Sequence, residues 1–298
     1  MRLLKIKGWF IALYVLIHPA FAIALEQTEL MYRDLTLLTS PEFAGRGEFT
    51  AEPNLSAQFI YSRLNDMGYL PEFQPFDFKV GWAGSQQGHN VFAKLTCQQI
   101  VCQKALIITA HYDHLGDSGS SYYPGANDNA SGVVALLYLA ERLKPLSVNR
   151  DVIFVATDAE EKGLHGAHAF AKSKHTDNAE LNINLDMLAV RPDKPLYLFA
   201  SQGAALNKLI PTHTPVQFKY TESTKRLARW TNETHTDWLR ASDHYAFYKQ
   251  GLTFLYVGMG SDPHHHTRKD TLEKIDYTAF TQAVYSVSAL VLEIVTTP

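Results

Sequence analysis

The chain has 298 residues, 46 % of them hydrophobic and 19 % charged, with 27 Lys+Arg against 30 Asp+Glu and a formal net charge of −3. That length allows one large domain or two small ones, and the composition excludes global disorder. No glycine or heptad period supports a collagen-like or coiled-coil chain, and no basic run beyond the first residues supports nucleic-acid binding. The 13 histidines stand out only if some of them converge.

Residues 1–22 read as a secretory signal. Arg2, Lys5 and Lys7 precede an apolar run from Gly8 to Ile17, and Ala20-Phe21-Ala22 supplies an A-x-A site. Cleavage after Ala24 fits nearly as well. The run is too short to span a bilayer, and no later segment reads as long and apolar enough to do so. Cleavage at 22 removes three positive charges and no acid, so the mature chain, residues 23–298, carries −6. The expected location is the periplasm or the medium. There Cys97 and Cys102, the only cysteines, are expected to bond across the tip of a hairpin.

In chain order, helices are expected at 26–38 and 54–68, then strands at 74–80, 90–96 and 104–110, the last two forming the disulfide hairpin. Helix 131–143, strand 151–157, helix 164–173 and strands 181–187 and 195–199 follow. Helix 203–210, strand 215–219, helix 236–248, strand 252–257 and a long helix 276–296 complete the pass. Ala105-Leu106-Ile107-Ile108 and Val152-Ile153-Phe154-Val155 are continuous apolar runs, as in strands covered on both faces. Their alternation with helices predicts a single α/β domain with a mostly parallel central sheet between helices.

In such sheets sites form beyond the carboxyl ends of the strands. Those ends carry His111-Tyr112-Asp113-His114, Asp158-Ala159-Glu160-Glu161, Asp186 and His264-His265-His266, and the loop before helix 131–143 adds Asn127-Asp128-Asn129. Their concentration at one edge points to a metal site. With Asp128 bridging, each of two ions receives one histidine and one carboxylate: His111 with Asp186, and His266 with Glu161. Nitrogen and oxygen ligands suit Zn2+, with Co2+ or Mn2+ as substitutes. A water shared by the ions is the expected nucleophile, with Glu160 as general base. Asp113 is expected to fix the tautomer of His111 from two residues away.

These segments resemble the di-zinc exopeptidases of bacterial leucyl aminopeptidase type, relatives of glutaminyl cyclases and glutamate carboxypeptidases. The likeness rests on Ala110–His114, Gly125–Gly132, Asp158–Leu164, Asn184–Met187 and His266-Thr267, in order. Phe43–Gly47, Ser242-Asp243-His244 and Asp270-Thr271 extend it over nearly the whole mature chain. The resemblance implies His111, Asp128, Glu161, Asp186 and His266 as ligands, Asp128 as the bridge, Glu160 as the base, and an often cis peptide at Asp128–Asn129. Asp243 and His244 become candidates for supporting the site or touching substrate. The sequence departs from many relatives at Asn129, where an acid is common, and at His265, where an aromatic residue is common; His264 and His265 therefore compete with His266.

What the resemblance implies is an aminopeptidase acting on peptides with a free N-terminus. A glutaminyl cyclase-like transferase is the second reading, although the tryptophan expected before the last histidine is absent. A non-catalytic metal-binding ectodomain is the third. Side-chain preference is open: loop 221–241 has no motif, with Trp230 and Trp238 as candidate lining. Oligomeric state is equally open.

Overall fold

The structure, a computed structural model, describes residues 19–79, 84–117, 119, 121–189 and 191–297. The expected leader lies outside the described residues except for 19–22, which open the first helix. The strands are β1 (Glu72–Lys79), β2 (Ser85–Leu95), β3 (Gln103–His111), β4 (Arg150–Thr157), β5 (Ala179–Leu185), β6 (Leu196–Ala200), β7 (Phe218–Thr221) and β8 (Thr253–Gly258). They form one sheet in the order β1-β2-β4-β3-β5-β8-β6-β7. The central four, β4-β3-β5-β8, are mutually parallel. The pairs β1–β2, β2–β4 and β8–β6 are antiparallel.

Helices α1 (Pro19–Leu38), α2 (Leu55–Asp66), α3 (Ser131–Leu143) and α7 (Tyr277–Thr296) cover one face. Helices α4 (His165–Ala171) and α6 (His244–Lys249) cover the other, and α5 (Thr224–Thr231) extends that layer beside β6. The strand period of two explains how one segment serves both layers. Along β3, Leu106, Ile108 and Ala110 enter the core under α3, while Ile107 packs with Phe170 of α4 and Phe247 of α6. The sheet is thus buried on both sides, as its apolar runs predicted.

Several expectations need correction. Cys97 and Cys102 are bonded, but β2 and β3 are not a hairpin: β4 lies between them. The loop therefore crosses the end of β4, where the Cys97 N–H donates to Asp151 Oδ1 at 2.8 Å. Residues 203–210 form only a short 3-10 turn, Leu206–Leu209, because Gly203 and Ala205 adopt left-handed conformations and Pro211 follows. The helix expected over 236–248 begins only at His244. Conversely, Thr224–Thr231 is a helix, capped by Ser223, which accepts from the Arg226 N–H, and ended by a left-handed Asn232. Helix α7 is, by length and composition, enough to cross a membrane, contrary to the sequence reading; 67 % of that stretch is buried, against α1 and α3.

Candidate active site

The carboxyl ends of the parallel strands deliver the predicted residues to one edge. His111 ends β3, Asp158–Glu161 follow β4, Asp186 follows β5, and His265 and His266 lie in the loop after β8. Asp128 sits in a π-helical turn, Ala126–Ala130, that leads into α3 and contains a cis Asp128–Asn129 peptide. Gly125 opens this turn with φ +56°, and a Cβ there would lie 2.3 Å from the Asp128 carbonyl oxygen and 2.6 Å from Arg46 Nη2. Only glycine fits.

Asp128 is the hub. Its Oδ1 lies 3.4 Å from His111 Nε2. Its Oδ2 lies 3.2 Å from both His265 Nε2 and His266 Nε2, and 3.6 Å from His114 Nδ1. His111 Nε2 is also 3.6 Å from Asp186 Oδ1, and His266 Nε2 is 3.0 Å from Glu161 Oε2. His114 Nδ1 is 2.9 Å from Glu161 Oε1. His264 stays apart, its N–H donating to Asp262 Oδ1 at 2.8 Å. The five residues implied as ligands are brought together, with His114 and His265 beside them.

These groups fit divalent cations. Asp128 Oδ2 and Asp186 Oδ1 are buried acceptors without a formed hydrogen bond, a costly state for a carboxylate oxygen. Donor atoms of His111, Asp128 and Asp186 lie within 4.8 Å of one another, as do those of Asp128, His265 and His266 and those of His114, Asp128 and Glu161. Carboxylate and imidazole donors suit zinc.

The adjacent glutamates are pushed in opposite directions. Burial alone would raise the Glu161 carboxyl, but hydrogen bonds from His114 and His266 outweigh it and take its pKa down to about 2. Burial, reinforced by Asp243, Glu161 and Asp186 against the opposing pull of His111, raises Glu160 well above the ordinary range. Two carboxyls with diverging pKa values take different roles in proton chemistry. The chain turns tightly here: Ala159 adopts φ +55°, and the N–H groups of Gly163 and Leu164 both reach the Glu160 carbonyl at 2.9 Å.

Asp113 differs from expectation. Its backbone carbonyl faces His111 Nδ1 at 3.1 Å, while the carboxylate oxygen is 3.8 Å away. The carboxylate instead accepts the N–H groups of Glu160 at 2.9 Å and Glu161 at 3.2 Å. Asp243 accepts a hydrogen bond from Thr157 Oγ1, and burial raises its carboxyl to about 6. His244 Nε2 lies 3.0 Å from the Trp238 carbonyl, within an aromatic cluster that includes Phe254 and Tyr256. Burial lowers its pKa to about 4. Neither Asp243 nor His244 lines the cavity at the cluster.

Sequence reasoning assigned no role to Arg46 or Asp270, although both stood in quoted motifs. The guanidinium of Arg46 is buried and donates to the carbonyls of Leu38, Tyr112, Pro124 and Gly125 at 2.6–2.8 Å. Asp270 accepts the N–H groups of Asn127 at 2.8 Å and Asp128 at 2.9 Å. Asn129 uses both ends of its amide: Nδ2 donates to the Leu185 carbonyl at 3.0 Å, and Oδ1 accepts from the N–H groups of Gly132 and Met187 at 3.0 and 3.1 Å. An acid could not make that donation.

A cavity of about 190 Å3 opens on the cluster, lined additionally by Met187, Glu233, Trp238, Tyr256 and Asp262. Trp230 does not line it but stacks on Tyr197. Residues 90–291, which contain every carboxylate and imidazole of the cluster, match the profile described as peptidase family M28, and the chain belongs to that family.

Among curated proteins, aminopeptidase YwaD of Bacillus subtilis is 28 % identical over 227 residues, covering 71 % of this chain and 46 % of YwaD. The chain spans about half the length of the curated relatives it matches. Among solved structures, BSAP, a zinc aminopeptidase from Bacillus subtilis, superposes with TM-score 0.69 at 17 % identity, covering 91 % of this chain and 95 % of BSAP. A glutaminyl cyclase from Porphyromonas gingivalis superposes with TM-score 0.68 at 17 % identity, covering 90 % and 98 %. The fold is shared by both activities and does not choose between them.

Proposed function

We propose that the chain is an exported metallo-aminopeptidase that hydrolyses the N-terminal peptide bond, with two zinc ions held by His111, Asp128, Glu161, Asp186 and His266. The observation that carries this reading is the hub: Asp128 with one oxygen towards His111 and the other towards His266, each imidazole beside a further carboxylate. Bound zinc would supply Lewis acidity, polarising the scissile carbonyl and lowering the pKa of water at the site. Glu160 takes the proton of the attacking water and returns it to the leaving amine nitrogen. Asp113 fixes the Glu160-Glu161 backbone, so that one carboxylate serves the ligand set and the other stays free. The substrate ammonium is drawn by the carboxylates around the cavity, which no Lys or Arg among the described residues lines.

The test is zinc content and hydrolysis of aminoacyl-p-nitroanilides with and without chelator. Two equivalents of zinc, chelator-sensitive activity, and its loss in Glu160→Ala and Asp128→Ala are expected. Full activity in both variants overturns the assignment. The resemblance to a glutaminyl cyclase structure supports a second reading, in which an N-terminal glutamine peptide releases ammonia without cleavage. That assay separates the two.

Export is supported by the basic, apolar and A-x-A pattern of residues 1–22 and by the Cys97–Cys102 bond, which suits an oxidising compartment. A mature N-terminus at Ile23 or Leu25 on protein from fractionated cells is the expected result, and an uncleaved cytosolic chain is the contrary one.

A further inference from the structure

The cavity extends past the carboxylate–imidazole cluster to the loop after α5, where the reading above gives its residues no task. Among the described residues six carboxylates line it, from Asp128, Glu160, Glu161, Asp186, Glu233 and Asp262, and no Lys or Arg does. The first four belong to the cluster. Asp262 is occupied, accepting from Asn127 Nδ2 at 2.5 Å and from the His264 N–H at 2.8 Å. Glu233 differs: it is partly buried, and among the described residues its carboxylate forms no hydrogen bond or ion pair. Trp238, 5 % exposed, lines the same cavity with an indole N–H that has no acceptor. Its ring stands 5.9 Å from that of Tyr256, another lining residue, at 62°.

A carboxylate at the wall of the cavity with no partner is a poor floor for an aliphatic side chain. It suits a cation that arrives with the ligand. Aromatic faces favour the same guest, since a guanidinium or ammonium is attracted to the π-faces of Trp and Tyr. We propose that Glu233 is the specificity-determining residue of this pocket and selects a cationic side chain, arginine or lysine, on the N-terminal residue of the substrate. Trp238 and Tyr256 flank that side chain, and the indole N–H remains for an acceptor on the bound peptide. The proposal rests on the aminopeptidase reading and names its substrate class.

Citrulline, which has the shape of arginine without the charge, makes the decisive comparison. With the zinc-loaded protein, kcat/KM for arginyl-p-nitroanilide should exceed that for the citrulline compound roughly 10–100-fold, the worth of one charge-assisted hydrogen bond. In Glu233→Gln the ratio should fall to within about threefold. The same comparison is made without turnover by calorimetric Kd values of argininamide and citrullinamide for both proteins. Equal affinities in the wild type, or a ratio preserved in Glu233→Gln, overturn the proposal. A binding ratio that behaves as described, with no amide hydrolysed, leaves the pocket assignment standing and defeats the aminopeptidase reading instead.

Discussion

The carboxylate of Asp113 holds the backbone N–H of Glu160 at 2.9 Å and that of Glu161 at 3.2 Å. One buried side chain from the loop after β3 thereby sets the position of both glutamates after β4. Asp113→Asn leaves one acceptor oxygen for two donors. Such a supporting partner is worth about 10–100-fold in activity or metal affinity. The variant should therefore lose kcat by that factor with KM little changed. An unaltered kcat would show that the turn is held without Asp113.

Arg46 ties four separate carbonyls together beneath the cluster. Burial lowers its pKa to about 10, while Asp128, Asp270, Asp113 and Glu161 work to keep it charged. Lysine offers one compact ammonium in place of a planar fork. Arg46→Lys strands several carbonyls and should cost about 3 kcal/mol or more, since bonds to charged groups are worth about 1.5–3 kcal/mol each. Urea unfolding measures it, and a loss below about 1 kcal/mol would contradict the account.

His265 and His266 reach Asp128 Oδ2 equally, at 3.2 Å, but only His266 also reaches Glu161. The second contact decides between them. His266→Phe should retain about one zinc equivalent of two, and His265→Phe both. Elemental analysis after dialysis reads the difference directly. The reverse pattern would transfer the ligand role to His265.

His244 is buried neutral, and its pKa of about 4 lies below the ordinary 6.5. Unfolding below pH 6.5 therefore takes up a proton at this residue. The stability it contributes is complete above pH 6.5 and is lost as pH falls through about 4. Over that interval the loss approaches about 3 kcal/mol. In His244→Phe this part of the acid sensitivity should vanish, although the bond to the Trp238 carbonyl goes with it. Parallel stability–pH curves for the two proteins between pH 7 and 4 would refute the assignment.

Much of the central architecture was legible because both layers of the sandwich write themselves into the strands. The runs at 105–110 and 152–157 could only be buried on two faces, and helix α3 was read at its observed bounds, 131–143. The region 203–243 was not. Its conformation depends on single left-handed residues such as Ala205 and Asn232, and on one bond from His244 to a carbonyl six residues away. Periodicity does not register such features. Ser223 and Asn232 were nonetheless a readable start and stop for α5.

The sequence alone determined the class of fold and the inventory of the site: which histidines and carboxylates fall at strand ends, in an order shared with a known family. These follow from local pattern and residue chemistry. The tertiary structure decided what each group faces. It turned the Asp113 carboxylate from His111 to the backbone of the two glutamates, placed Arg46 under Asp128, laid β4 inside the presumed hairpin, and set Glu233 in the cavity without a partner among the described residues. Each of these depends on segments far apart in the chain meeting at hydrogen-bond range, and that distance is fixed by packing rather than by spacing in sequence.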